Sequence, residues 1–450
     1  MNNLKTLEQE FASLQPISIT GEVVAVRGGL IEIAGLGGLA KIGQMVEFED
    51  TGAMRGEVIG FGQGRAHIMM HGNADNIHPR HRARLVRGDD IRPTDDWIGK
   101  VVDAFGRSWE GEELDRGEEV RSLRGAPPIA VTRKRVGPRI STGYHVFNSF
   151  LPICSGQRLG LFAGSGVGKS SLLAGLARNM AADVVVIGLI GERGKEVNEF
   201  LHDALGQEGR KRSVVVVATS DAPPLVKRRA AWLTLTIAEY FRDQNKQVLC
   251  LMDSLTRFAE AHREVGLAAG EPPSMRAFPP STFSELSSLV ERAGPGPEGV
   301  GDITALFTVL VQGSDMDEPV ADAVRGFLDG HVVLTRAIAE RGRYPAVDVL
   351  KSVSRALPRA ASDDENALLL EARKMLAAYE DIEPILKLGA YQDGANPEVD
   401  HAVNLFPSLD AFISGRDAAS TDESFALLKE ILHSSEEDVP SEQGKQQPGR

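Results

Sequence analysis

Hydrophobic positions recur along this chain with several rhythms, and the changes of rhythm divide it. Residues 2–15 set Leu4, Leu7, Phe11 and Leu14 at offsets of three and four with polar residues between them, which predicts a short amphipathic helix. From Ile17 to about Arg87, short β-rich runs ("GEVVAV", "GLIEIA", "GEVIGF", "RAHIMM") are separated by glycine-rich turns, the pattern of a small barrel. From about Trp97 to Leu357 the apolar runs become continuous: "RLGLFA", "DVVVIGLI", "SVVVVATS", "QVLCLMD", "ITALFTVLVQ" and "HVVLTR" alternate with helical stretches. Strands buried on both faces of a parallel sheet have that composition. After Pro358 the strands stop. "SDDENALLLEARKMLAAYE" opens with a capping box, Ser362 with Glu365, and carries Leu368, Ala372, Met375, Leu376 and Tyr379 at helical spacing. Two further helical segments follow around 397–413 and 421–432, and the polar tail "HSSEEDVPSEQGKQQPGR" reads as disordered. No internal repeat is present. The expected division is a helix over 1–16, a β-barrel over 17–95, an α/β domain over 96–358, a helical domain over 359–432 and a tail over 433–450.

Composition narrows the class without changing this picture. The 450 residues are 42% hydrophobic and 25% charged, ordinary values for a globular protein, and the net charge is −13. An acidic chain argues against a general nucleic-acid binder, which needs clustered cations to neutralise phosphates. The basic runs "TRKR" (132–135), "GRKR" (209–212) and "VKRR" (226–229) are expected to be solvated surface. Cys154 and Cys250 lie far apart in apolar surroundings, as free thiols of a reducing compartment do. The N-terminal stretch lacks the apolar core of a signal peptide, and no run approaches the roughly 18 apolar residues of a membrane span. The expectation is a cytoplasmic protein that meets membranes only through partners.

Candidate chemistry begins at "LFAGSGVGKSSLL". Ala163, Gly164, Ser165, Gly166, Val167, Gly168, Lys169 and Ser170, with Ser171 following, match a phosphate-binding P-loop in which Ala replaces the first glycine. The stretch follows a predicted strand (158–162) and opens a predicted helix (170–180). Its glycines let backbone N–H groups curl round phosphate oxygens, and the helix N-terminus adds partial positive charge. Lys169 would reach the β and γ phosphates and Ser170 would ligate Mg²⁺. "QVLCLMDS" ends in Asp253, an acid positioned to hold the hydration shell of that ion. Arg257, four residues on, suits either the same phosphates or a surface ion pair. Glu192 emerges where "DVVVIGLI" ends, at the edge where open α/β sheets bind ligands. It suits either an attacking water or a loop salt bridge, and Arg193 beside it suits the γ-phosphate.

A resemblance sharpens these alternatives. "GSGVGKS", "GERGKEV", "LMDSLTRFAEAHREVGLAAGEPP" and "RYPAVDVLKSVSR" together resemble the ATP synthase α/β superfamily. Within it, "GQRLGLFAGSGVGKSSLLAGLARN" and "AERGRYPAVDVLKSVSRALP" are most similar to the flagellum-specific ATPase of the type III export apparatus, with injectisome relatives close behind. The resemblance spans roughly residues 17–432. It implies a P-loop (RecA-like) α/β core between the small β-barrel and the helical domain. It implies ATP and Mg²⁺ as ligands, with Lys169 and Ser170 on phosphate and metal and Asp253 as the second metal residue. Glu192 becomes the water-activating carboxylate, Arg193 and Arg257 flank the γ-phosphate, and Tyr344 packs on the adenine. Arg355 becomes a finger reaching a neighbour's nucleotide. Because Glu192 and Arg355 lie on one chain, a homohexamer could build every site from one sequence.

The partners implied are a dimeric regulatory (stator) protein at the N-terminal helix, a coiled-coil central stalk, membrane proteins of the export gate, and export substrates with their chaperones. Nucleic acid is not among them. Docking to the inner membrane would be peripheral, through the export apparatus. Injectisome secretion, a rotary proton-ATPase subunit, a ring RNA translocase and an inactive structural subunit are the competing readings. The combination of Glu192 with Arg355 argues against the rotary and the inactive subunit, and acidity against the RNA translocase. Two places depart from the family pattern: Tyr144, His145 and Asn148 stand where relatives carry a basic residue and an acid, and Ser108-Trp109 stands where a proline turn is common.

Overall fold

The computed structural model describes residues 18–433 apart from 50, 53, 89, 312–315 and 418–419. The expected amphipathic stretch 2–15 and the tail beyond 433 lie outside the described residues. Six antiparallel strands, β1 (Thr20–Arg27), β2 (Leu30–Ala34), β3 (Met45–Phe48), β4 (Arg55–Gly62), β5 (Arg65–Met70) and β6 (Arg82–Val86), close a barrel in the order β1-β2-β5-β4-β3-β6. The alternation that marks a strand with one wet face is plain in β5, where Ala66, Ile68 and Met70 are buried between half-buried neighbours. The interior closes round Ile31, Ile33, Phe48, Val58 and Ile68.

A nine-stranded sheet forms the centre: β7 (Val101–Val102), β8 (Arg158–Ala163), β9 (Val184–Glu192), β10 (Ser213–Thr219), β11 (Val248–Asp253), β12 (Gly294–Pro295), β13 (Asp302–Leu310), β14 (Gly330–Leu334) and β15 (Val347–Ser354). Its order is β15-β14-β8-β13-β11-β9-β10-β7, with β12 beside β13. From β14 to β7 the pairing is parallel, and β15 is antiparallel to β14. The continuous apolar runs are β8, β9, β10, β11, β13 and β14. Each needs two apolar faces because helices cover both: Val185, Ile187 and Leu189 of β9 belong to one core, and Val184, Val186 and Ile190 to the other. The covering helices are α1 (His145–Asn148), α2 (Lys169–Asn179), α3 (Gly194–Glu199), α4 (Gly206–Lys211), α5 (Pro224–Asp243), α6 (Leu255–Ala268), α7 (Pro280–Glu291), α8 (Pro319–Phe327) and α9 (Arg336–Glu340), with a π-helical turn between α3 and α4. The edge strand β15 has no run of this kind, because Lys351 and Val353 face outward in the register where Ser352 and Ser354 are buried.

Three helices complete the chain: α10 (Asp363–Lys387), α11 (Pro397–Ser414) and α12 (Thr421–His433). Both bonds of the capping box form, Glu365 N–H donating to Ser362 Oγ at 3.2 Å and Ser362 N–H to Glu365 Oε2 at 2.7 Å. Leu369, Ala372, Met375 and Leu376 of α10 join the same core as α2 and α11.

The basic runs are only in part the solvated surface that composition suggests: Arg135 and Lys211 are exposed, but others are not. Arg228 and Arg229 are only 5% and 7% exposed. Arg228 Nη2 donates to Glu57 Oε1 of β4 at 3.2 Å, and Arg229 Nε to the Ala104 carbonyl at 3.0 Å. Lys134 pairs with Asp302 at 2.9 Å, and Arg133 donates to the carbonyls of Ala293 and Glu291. These cations join distant segments, and burial is tolerated because carboxylates and carbonyls surround them. The unusual Tyr144, His145 and Asn148 also have partners: His145 Nδ1 lies 3.0 Å from Ser424 Oγ of α12, and Asn148 Nδ2 donates to the Ser420 carbonyl at 3.1 Å. Cys154 and Cys250 are free and buried, and burial pushes their thiols up to about 11 and about 12.

Arg292 is the strongest of these internal ties. Its side chain is 2% exposed, and its Nε and Nη2 donate to Glu239 Oε1 and Oε2 at 2.8 and 2.7 Å, while Nη1 donates to the Leu123 carbonyl at 2.6 Å. Arg292→Leu strands the Glu239 carboxylate in the core and is expected to cost about 3–5 kcal/mol in urea unfolding. Arg292→Met with Glu239→Leu should recover most of that loss. A single variant as stable as the parent would show that the pair is not holding the region.

Candidate active site

Strand β8 ends at Ala163, and the chain turns through Gly164–Gly168 into α2. Gly166 and Gly168 sit at φ 77° and 84°, the left-handed region that favours glycine. A second constraint acts at Gly168, where an added Cβ would lie 3.0 Å from the Tyr344 ring. The first turn of α2 leaves backbone N–H groups without helical partners, directed out of the P-loop.

The parallel register brings three charges to the mouth of this loop. Lys169 Nζ donates to Asp253 Oδ1 at 2.6 Å and lies 3.5 Å from Glu192 Oε1. Thr308 Oγ1, on β13 between the P-loop strand and β11, donates to the same Asp253 oxygen at 2.7 Å. Burial opposes the charge on Lys169, but Asp253 and Glu192 outweigh it and raise its pKa. Glu192 moves the other way from an ordinary paired acid. Burial, then the charge on Asp253, pushes it up to about 7, against the pull of Lys169. The distances explain the contrast, since Lys169 is committed to Asp253 and stands almost 1 Å further from Glu192.

A cavity of 430 Å³ opens over this cluster. Gly164, Gly166, Lys169, Ser170 and Ser171 line one side, and Glu192, Arg193, Glu196, Ser220 and Arg257 the other. Arg193 is 80% exposed at its side chain and 3.8 Å from Glu196. Arg257 pairs with Glu260 at 2.8 Å and also lines this cavity. Val167 lines a larger cleft of 640 Å³, which shares Gly164, Ser165, Arg257 and Leu310 with this cavity. Tyr344 lines a separate cavity of 350 Å³, which shares Gly166, Gly168 and Ser171 with the first. Arg355 lines neither. It follows the last residue of β15, exposed, with its backbone N–H bonded to the Asp329 carbonyl at 2.9 Å. Sequence reading passed over Thr308, Glu196 and Arg416, the last of which lines the Tyr344 cavity. A hydroxyl inside the apolar run "ITALFTVL" was the available signal for Thr308; Arg416 had none.

The donor set fits a magnesium ion. Mg²⁺ keeps several waters and takes one or two protein oxygens plus phosphates, and here one hydroxyl, Ser170, and one carboxylate, Asp253, flank the loop.

Residues 143–354 match the ATP synthase alpha/beta family, nucleotide-binding domain, and residues 361–430 match the T3SS EscN ATPase C-terminal domain. A flagellum-specific ATP synthase of Caulobacter vibrioides is 49% identical over 444 residues, which span 96% of this chain and 100% of that one. This chain belongs to the ATP synthase alpha/beta family, in its flagellum-specific branch. A flagellum-specific ATP synthase of Bacillus subtilis is 42% identical across 92% of this family member and 93% of its own length. Among solved structures, the assembled ATPase EscN of the enteropathogenic E. coli type III secretion system superposes with a TM-score of 0.85 at 37% identity, covering 92% of this ATPase and 100% of that chain.

The shifted Glu192 makes stability pH-dependent in a definite direction. Its carboxyl titrates near 4.5 when unperturbed and near 7 in the fold. The folded state therefore holds the extra proton between those values, and stability contributed by the site is lost as pH rises through about 7. Glu192→Gln, which mimics the protonated acid, should gain melting temperature relative to the parent as pH is raised from 4.5 to 7. A difference that is flat with pH would mean that Glu192 titrates as an ordinary surface acid.

Proposed function

We propose that this ATPase hydrolyses Mg-ATP to energise type III export of flagellar proteins, as one subunit of a cytoplasmic homohexameric ring. The observation that carries the proposal is the meeting of Lys169, Asp253 and a Glu192 poised near pH 7 at one cavity over the P-loop. In this reading the triphosphate displaces Asp253 as the partner of Lys169, and the N–H groups of residues 164–170 hold its oxygens. Ser170, and Asp253 through water, would hold Mg²⁺, which supplies neutralisation of charge on the phosphate oxygens. Glu192, released from its proton, orients the attacking water and takes up its proton. Arg193 and Arg257 face the γ-phosphate from the opposite wall of the cavity, and Tyr344 covers the base.

Arg355 completes a site in trans. Its exposure at the end of the edge strand supports that role, and a finger of this kind contributes about 10³–10⁵ in rate. The flagellar reading is favoured over the injectisome one by relatives named flagellum-specific ATP synthases at 49% and 42% identity. EscN has been seen assembled and in complex with its central stalk EscO, which supports a ring and a coiled-coil stalk partner here. By the same family reading, residues 1–16 dock a dimeric stator partner, and the ring meets the export gate, substrates and chaperones. Among the described residues no helix is long and apolar enough to cross a membrane, in keeping with peripheral attachment.

Lys169→Ala should abolish productive ATP binding, while Glu192→Gln should bind ATP and fail to turn it over. In the parent, kcat/KM should fall tenfold per pH unit below about 7, because only the ionised Glu192 accepts a proton. Near-normal turnover by Glu192→Gln would remove Glu192 from the mechanism, and loss of flagellar export without loss of ATP turnover in a Glu192→Gln strain would detach hydrolysis from export.

Arg355→Ala should depress turnover and leave ATP affinity of the monomer nearly intact. Mixing it with Glu192→Gln subunits should restore part of the activity, since an intact Glu192 can then face an intact Arg355. Absence of rescue in assembled mixed rings would place the arginine outside the neighbour's site.

A further inference from the structure

The two cavities that meet over the P-loop take their walls from different parts of the chain. The one over Lys169 and Glu192 is built from the α/β domain alone. The other borrows a residue from the C-terminal helical domain: Arg416, just beyond α11, lines it with Tyr144, Leu172, Tyr344 and Pro345. We propose that Arg416 is a base-side contact for the bound nucleotide, a residue that adds affinity at the base end of a nucleoside triphosphate. The proposal rests on the ATPase reading of the P-loop cavity given above.

Three observations carry it. The first is unspent hydrogen-bonding capacity. Arg416 Nη2 donates to the Tyr344 carbonyl at 3.3 Å, and among the described residues no carboxylate lies within ion-pair distance of its guanidinium. A guanidinium has five N–H donors, so most remain free to meet a ligand at the cavity wall. The second is that its position is fixed from both sides. On one side Asp410 of α11 pairs with Arg343 Nε at 2.9 Å, and Arg343 Nη2 donates to the Val347 carbonyl at 2.9 Å, tying α11 to the residue next to Tyr344. On the other, His145 N–H donates to the Gly415 carbonyl at 3.3 Å, and the His145 ring stacks on Phe412 at 5.0 Å. The approach there is so close that a Cβ on Gly415 would come within 2.4 Å of His145 Cδ2.

The third is continuity. The 350 Å³ cavity shares Gly166, Gly168 and Ser171 with the phosphate cavity, so a nucleotide whose phosphates occupy the first extends its sugar and base into the second. There Tyr344 offers an aromatic face and Arg416 a planar cation. Guanidinium groups stack on aromatic rings and donate to ring acceptors. Adenine and guanine both present such acceptors, so the contact does not choose between the two.

The test separates the base end of the ligand from its phosphate end. Binding of adenylyl imidodiphosphate and of inorganic tripolyphosphate, each with Mg²⁺, is measured by calorimetry on the full-length parent, Arg416→Ala, Arg416→Lys and Lys169→Ala, alongside steady-state ATP turnover. Arg416→Ala should weaken the nucleotide and raise KM for ATP and GTP by roughly three- to tenfold, with kcat and tripolyphosphate affinity unchanged and Arg416→Lys intermediate. Unchanged nucleotide affinity overturns the proposal. Equal weakening of nucleotide and tripolyphosphate also overturns it, because Arg416 would then act by propping the P-loop. Tripolyphosphate still bound by Lys169→Ala would overturn the phosphate assignment itself, and the base-side contact with it.

Discussion

One buried ammonium organises this molecule. Lys169 is held between Asp253 and Glu192 at the C-terminal edge of the sheet, and each of the three comes from a different strand or the turn after it. They meet only if β8, β13, β11 and β9 keep their parallel register, Leu310 beside Ala163, Phe307 beside Met252 and Leu189 beside Asp253. A slip of one residue in any pairing would turn Asp253 or Thr308 to the other face. The two apolar cores that sandwich the sheet are what enforce that register, so packing far from the site sets distances within it.

Much of this was readable in advance, for identifiable reasons. Buried parallel strands must be apolar on both faces, so six of them stand out as uninterrupted runs. The P-loop stands out because its turn geometry demands glycine at fixed places. Strand β15 escaped notice because an edge strand needs only one buried face, and its lysine and serines look like a loop. The basic runs misled for a related cause: local sequence shows the cation but not the carboxylate, and Glu57 lies far from Arg228 along the chain. Arg416 was illegible altogether, since its place at the cavity follows from how α11 packs on α1 and the Tyr344 segment. Sequence patterns report the demands of secondary structure well, and long-range pairing hardly at all.

Buried and half-buried ion pairs mark the joints between the parts. Arg228 with Glu57 joins the barrel to the central domain, and Arg343 with Asp410 joins that domain to the terminal helices. Such pairs add little net stability over apolar packing but are costly to break singly. Their effect is to fix orientation, which is what a site assembled from several domains requires.

Strand β15 has a further consequence. It runs from the Tyr344 segment at its start to Arg355 at its end, across eight residues and roughly 26 Å. If one end senses the subunit's own base and the other acts on the next subunit, the strand is a one-way lever. Information then travels round a ring in a single sense, and a subunit that falls silent starves the neighbour downstream while sparing the one behind it.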